Sequence, residues 1–175
     1  ERRPDNYVHL YNIYNKEHVE RVWGKEHYQA DKASKVLKHF DFKGIAPEDR
    51  VILLEPGETI LAHTNEFIGG RGTITTMMKA RSSLGRNFIE VCKCAGWGDV
   101  GYINRWTMEI TNNSRHYTIP LVVGRRVAQI IFFDVQEITA KDYASDGKYQ
   151  SVKDFSKLKK GWNPQMMLPR LYLDR

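Results

Sequence analysis

The chain has 175 residues and a mass of 20.4 kDa, enough for one domain with a core, and its 27 Lys and Arg outnumber 21 Asp and Glu to leave a formal charge of +6 and an isoelectric point near 9.3. This balance favours polyanionic partners, nucleoside triphosphates as well as nucleic acids. No apolar run is long enough to span a bilayer and no charged-then-apolar leader is present, so a cytoplasmic protein without a membrane partner is expected, and the opening Glu1 points to a processed or truncated chain.

Residues 1–40 are polar, aromatic and rich in His, Lys and Glu. Tyr7, Val8, Leu10, Tyr11 and Ile13 suit an extended arm or strand, while Val19, Val22, Trp23, Val36, Leu37 and Phe40 recur at loosely helical intervals. His18, His27 and His39 lack a pattern for metal ligation. From residue 50 the texture becomes β. Arg50–Glu55 reads as a strand, Pro56–Glu58 as a turn and Thr59–Asn65 as a second strand, together a hairpin-like unit. Gly69, Gly70 and Gly72 then interrupt the chain before a strand at Thr73–Lys79. The GGRG run lacks the lysine and helix of a P-loop and reads as a turn.

Further strands are predicted at Phe88–Cys94, Ile103–Thr111, Tyr117–Val123 and Val127–Val135, separated by turns at Gly96–Gly101, Asn112–Ser114 and Gly124–Arg125. Many short strands with few convincing helices predict a mainly β sandwich, jelly roll or barrel. With no repeat or linker, a single domain is expected over 1–175, with 1–40 as a poorly assigned arm and 139–175 as a tail. Thr139–Lys160, with GKYQS and a lysine run, reads as solvated or as a lid over a bound anion. Cys92 and Cys94 alternate in a predicted strand, which points them to the same face, too close for a disulfide and without the further ligands of a zinc site. Buried or half-buried free thiols are expected there.

The stretch Arg81–Glu109 carries the chemistry. Arg81, Ser82, Ser83 and Arg86 gather two guanidiniums and two hydroxyls, a set suited to phosphate oxygens. Gly96, Gly98 and Gly101 surround Asp99, so a turn that admits close approach of a ligand carries a carboxylate. Glu109 lies between apolar neighbours, where partial desolvation suits proton transfer near neutral pH. Structural roles compete: interface ion pairs for Arg81 and Arg86, their buried partner for Glu109, a turn hydroxyl for Ser82 and a turn cap for Asp99.

Four blocks in order, ARSSLGR at 80–86, AGWGDVGY at 95–102, MEITNN at 108–113 and GRRVAQIIF at 124–132, make residues 50–150 resemble the dCTP deaminase branch of the dUTPase-like nucleotide enzymes. Glu109 follows Asp99 by ten residues, as in the deaminase branch; the dUTPase branch usually has an apolar residue there. The resemblance implies a distorted jelly-roll or β-barrel of the dUTPase-like type with a few short helices, assembled as a homotrimer with active sites between subunits. It further implies hydrolysis of the cytosine amine of dCTP to dUTP and ammonia in pyrimidine deoxynucleotide metabolism, with Mg2+ on the triphosphate and no zinc or protein metal ligands. Arg86 resembles the family's catalytic arginine and Glu109 its proton-transfer group. Ser82 would place the water, with Arg81 beside it on the phosphate side. Ser83, Asp99 and Gln129 would bind nucleotide, and Lys148 and Tyr149 resemble the C-terminal part that folds over the phosphates.

The chain departs from the family pattern at Gly98 and Val100, where isoleucine and proline are common, and at Asn104, where glycine is. The family's opening strand motif is not recognisable in Glu1–Tyr14, and Gln150 meets the glutamine expected after GKY only if the tail shifts. Two other readings stay open. One is a dUTPase, or a bifunctional enzyme in which Asp99 activates a second water to release pyrophosphate. The other is a non-catalytic nucleotide or nucleic-acid binding module. No alternation of basic and stacking residues marks a nucleic-acid stripe, so dCTP and dUTP are the expected partners.

Overall fold

The computed structural model describes residues 10–24, 27–40, 43–139, 141–150 and 152–174. Among these, the alternating segments form nine strands: β1 (Asp31–Lys32), β2 (Arg50–Leu54), β3 (Thr59–Gly69), β4 (Ile74–Ala80), β5 (Ile89–Val91), β6 (Trp97–Gly98), β7 (Ile103–Asn112), β8 (Ile119–Val122) and β9 (Ala128–Asp134). They pair antiparallel in three three-stranded sheets, ordered β1–β2–β8, β3–β7–β5 and β6–β4–β9. The expected mainly β architecture with few short helices is the one observed. No helix among the described residues is long and apolar enough to cross a membrane.

Alternation is clearest in β7, where Asn104, Trp106, Met108 and Ile110 are buried while Arg105, Thr107 and Glu109 on the opposite face are half-buried. The buried set meets Leu54 of β2, Met78 of β4, Ile89 and Val91 of β5 and Leu121 of β8, so all three sheets share one core. A smaller cluster of Ala33, Leu37, Val51 and Val122 joins the N-terminal part to β2 and β8.

Five short α-helices occur among the described residues: α1 (Lys16–Trp23), α2 (Ala33–Val36), α3 (Ser82–Gly85), α4 (Tyr143–Asp146) and α5 (Phe155–Gly161). Asn15 caps α1 by accepting from His18 N at 3.1 Å. Asp154 caps α5, accepting from Ser156 N at 2.8 Å and Lys157 N at 3.0 Å, while Lys159 and Lys160 sit favourably at its other end.

Four expectations are corrected. β2 and β3 do not form a hairpin; β2 pairs with β8 and β3 with β7, and their connecting turn is tied to β7 through Gly57 N, which donates to Asn112 O at 2.8 Å. β5 is shorter than the predicted Phe88–Cys94, because Phe88, Cys92 and Lys93 have φ of 66°, 63° and 39° and turn the chain out of the strand at both ends. Cys92 and Cys94 therefore do not share a face: Cys92 is buried and Cys94 exposed. The proposed arm at Tyr7 and Val8 lies outside the described residues; Leu10–Ile13 is not a strand.

The C-terminal segment lies on the molecule instead of standing in solvent. Phe155 meets Phe67 edge-on at 5.9 Å and Trp162 meets His63 at 4.5 Å. Arg105 of β7 sits between Phe67 and Trp162, its guanidinium 5.2 and 5.1 Å from the two ring centroids, and donates to Thr64 O at 3.2 Å. The 3-10 turn Pro164–Met167 then packs against β3.

The departure at Gly98 has a packing cause. A Cβ at Gly98 would lie 2.6 Å from Cζ2 and Cη2 of Trp106 and 2.4 Å from Oγ1 of Thr76, so the indole fills the space that a larger residue at 98 would need. Gly98→Ala should destabilise the protein by about 1–3 kcal/mol, the cost of overpacking, and Trp106→Leu should recover part of that loss in the double variant; thermal unfolding of the cycle checks this. Additive losses would show that the two residues do not compete for space.

Candidate active site

β7 carries Glu109 on the face opposite the core. Its register neighbour on β3 is Leu61, and on the other side Cys92 N donates to Glu109 O at 3.0 Å. Neither neighbouring side chain is a strong hydrogen-bond donor. Oε2 of Glu109 is buried and has no hydrogen-bond partner among the described residues. Leaving a carboxylate oxygen desolvated and unpaired is costly, so such an atom calls for a partner that the fold itself does not supply.

The adjacent thiol reports the same electrostatics. Burial first, and then the Glu109 carboxylate, push Cys92 from 9.0 up to about 12, with Lys79 acting in the opposite direction.

The Arg81–Arg86 cluster forms α3 and its flanks. Ser82, Ser83 and Arg86 are exposed and Arg81 is half-buried. Arg81 Nη1 donates to Arg126 O at 3.1 Å, which fixes its direction, whereas the Arg86 guanidinium has no hydrogen bond or ion pair among the described residues. α3 lies at the start of β5, where Ile89 pairs with Asn112, while Glu109 lies at the far end beside Cys92. That separation is roughly 10 Å along a strand. Arg86 and Glu109 form no ion pair within one chain.

Asp99 follows β6 and opens into a cavity of about 480 Å3 lined by Thr75, Trp97, Val100, Val135, Lys141 and Tyr143, among others. Burial chiefly raises the Tyr143 phenol, with the Asp99 charge a smaller contributor. Glu109 does not line this cavity. Gln129 is exposed on β9 opposite Lys79 of β4.

Lys148 and Tyr149 are half-buried and turned toward the chain's own C-terminal segment. Lys148 is paired with Asp174, whose hydrogen bond and charge raise the lysine's pKa. Tyr149 OH accepts from Arg170 N at 3.2 Å, and the Arg170 guanidinium lies 5.7 Å from the Tyr149 ring centroid. Gln150 is buried; its Oε1 accepts from Ile103 N at 2.8 Å and its Nε2 donates to Gly101 O at 3.3 Å. Asn104, a departure from the family pattern, donates to Tyr149 O at 3.3 Å and so helps to hold this segment. GKYQ thus braces the end of the glycine turn.

Lys141 and Tyr143 beside Asp99 are long-range neighbours with no local signal in the sequence, and Trp97 joins them from two residues before Asp99. The only local signal was Trp97 within the AGWGD block.

A model of the dCTP deaminase-like family matches residues 12–135. The chain belongs to that family. Among its relatives, a dCTP deaminase, dUMP-forming, of Persephonella marina is 36% identical over 118 residues, spanning 66% of this chain and 62% of the relative. One of Methanopyrus kandleri is 37% identical over 107 residues, spanning 60% and 55%, and one of Hydrogenobaculum sp. is 40% identical over 92 residues, spanning 51% and 50%. The chain therefore spans 50–62% of the length of these three relatives. Two solved structures share weaker likeness: EIAV dUTPase, with a TM-score of 0.44, 20% identity and coverage of 52% of this chain and 73% of that one, and a mutant dUTPase of S. aureus phage phi11, in which a structural Mg(II) ion is coordinated, with a TM-score of 0.44, 16% identity and coverage of 58% and 86%.

The thiol environment is directly testable. At pH 8 a maleimide should label Cys94 and spare Cys92 in the folded protein, with both reacting in denaturant; mass spectrometry reads the sites. Because the folded value of Cys92 lies above its ordinary 9.0, its contribution to stability is intact below pH 9 and declines as pH rises toward 12. Labelling of Cys92 in the folded state at the rate of Cys94 would contradict this arrangement.

Proposed function

We propose that this chain deaminates dCTP with Glu109 as the proton-transfer group, and that the dCTP deaminase, dUMP-forming, relatives indicate dUMP as the final product in place of the dUTP first expected. The observation that carries the reading is the buried, unpartnered Oε2 of Glu109. Glu109 takes a proton from water as the oxygen bonds to cytosine C4 and gives it to ring N3; it then takes the second proton, from the new C4 hydroxyl, and gives it to the amine. The C4–N bond of the tetrahedral centre then breaks and ammonia leaves. Ser82 places the water and Arg86 stabilises the developing charge. Hydrolysis of the α–β phosphoanhydride by a second water gives dUMP and pyrophosphate, with Asp99 activating that water from its own cavity.

The site is proposed to lie between subunits of a homotrimer. Two observations support this: in one chain Arg86 precedes the start of β5 while Glu109 lies beside the residue after its far end, and Trp97, Ile131 and Phe133 expose apolar side chains on one face of β6 and β9. Arg81, Ser83, Gln129, Lys148 and Tyr149 remain the proposed nucleotide-binding set, the last two with their present C-terminal contacts rearranged.

Among the described residues no group of three or more His, Cys, Asp or Glu is gathered for a metal ion. Mg2+ is proposed to enter on the triphosphate, whose oxygens and water suit it, with exposed Asp99 the protein carboxylate of the right kind nearby. The deamination scheme assigns no step to zinc.

Incubation with dCTP, dUTP and dCMP, with ammonia, pyrophosphate and nucleotides measured, tests the reading. Glu109→Gln should retain nucleotide binding and lose turnover by roughly 10²-fold or more; ammonia release at the parent rate would remove Glu109 from the chemistry. Asp99→Asn should retain ammonia release and lose pyrophosphate release. Equal loss of both would tie Asp99 to binding or deamination instead of the second hydrolysis.

A further inference from the structure

Lys79 is a cation on β4 that the proposed site does not yet use. Thr76, Met78 and Ala80 face the core, so Lys79 lies on the opposite face with Thr75 and Met77. Arg81, two residues on, retains an extended backbone with φ −66° and ψ 141°, which continues the alternation and puts its side chain on the same side. The register places Lys79 opposite Gln129, Met77 between Trp97 and Ile131, and Thr75 opposite Phe133. None of these facing residues is acidic.

Several other cations of the fold have acidic partners: Arg125 with Asp49, Lys148 with Asp174, Lys32 with Glu48 and Lys35 with Asp31. Lys79 has neither an ion pair nor a hydrogen bond among the described residues, and it is exposed. An exposed lysine alone is ordinary. This one sits on the strand face of Arg81 and opposite an amide, with no acidic residue in register beside it. Its charge also acts on Cys92 in the direction opposite to that of Glu109.

We infer that Lys79 is a polyphosphate-binding residue that extends the Arg81 cluster, its ammonium and the Arg81 guanidinium holding different phosphoryl groups of one nucleoside triphosphate while Gln129 supplies a neutral donor opposite. The two Cα positions are about 7 Å apart along the strand, a spacing that flexible Lys and Arg side chains can adapt to a triphosphate. The ligand class rests on the proposed nucleotide chemistry, but its test does not depend on turnover.

Inorganic tripolyphosphate is titrated calorimetrically into the full chain and into Lys79→Ala, Lys79→Arg and Lys79→Glu variants at two salt concentrations, with thermal unfolding as the control. The expected result is about tenfold weaker binding for Lys79→Ala, the scale of one charge-assisted contact. Lys79→Glu should bind more weakly still and Lys79→Arg should stay close to wild type, all with unchanged unfolding temperatures. With dCTP as substrate, Lys79→Ala should raise KM and leave kcat nearly unchanged. Wild-type-like affinity and salt dependence in both Lys79→Ala and Lys79→Glu would overturn the inference, as would a parent protein that binds no tripolyphosphate. Ammonia release from dCTP separately decides the deaminase reading, so the two failures are distinguishable.

Discussion

The two faces of β7 constrain the rest of the structure. One strand contributes Trp106, Met108 and Ile110 to the core and presents Arg105, Thr107 and Glu109 on the other side. A one-residue slip against β3 would exchange these sets, burying charges and exposing the indole, so the cost of desolvating charge strongly disfavours that register. The position of Glu109 is therefore inherited from the packing of its neighbours. β3 adapts to this demand: its register shifts between His63 and Phe67, where the Thr64 hydroxyl accepts from Trp106 N at 2.9 Å.

Size complementarity extends that constraint to the glycine turn. Trp106 occupies the volume over Gly98, and its Nε1 donates to Ile68 O at 2.8 Å, so the buried indole is both packed and paired. The small residue before Asp99 and the large one on β7 are two parts of one packing solution. Gln150 and Asn104 brace the following turn from the C-terminal side, giving structural roles to polar residues that could otherwise be assigned to a ligand.

Charge distribution divides the polar residues into satisfied and available groups. Arg105 is enclosed by aromatic rings and bonded to a carbonyl, and Lys148 has its carboxylate. Arg86 and Lys79 have no such partners among the described residues, while one oxygen of Glu109 is buried without a donor. Uncompensated groups of both signs, separated within a single chain, suit a polar ligand carrying negative phosphates and a reactive base.

Much was legible locally because strand periodicity and close sequence spacing encode it. The β texture, the 81–86 cluster, the Asp99 turn and the apolar neighbours of Glu109 could all be read from the sequence, and the family match agrees with the four blocks that suggested it. Pairing was not legible in the same way: β2 and β3 look like a hairpin because a short turn joins them, yet each finds its hydrogen bonds in a different sheet. The fates of Cys92 and Cys94 depended on left-handed turns that their residue types do not announce. The lysine-rich tail looked solvated because its docking partners, Phe67, His63 and Arg105, lie far away in sequence. Sequence by itself determined the local β pattern and the chemical groups; only tertiary structure decided which groups met, which were satisfied and which remained available, because burial and hydrogen-bond partnership are long-range properties of the folded chain.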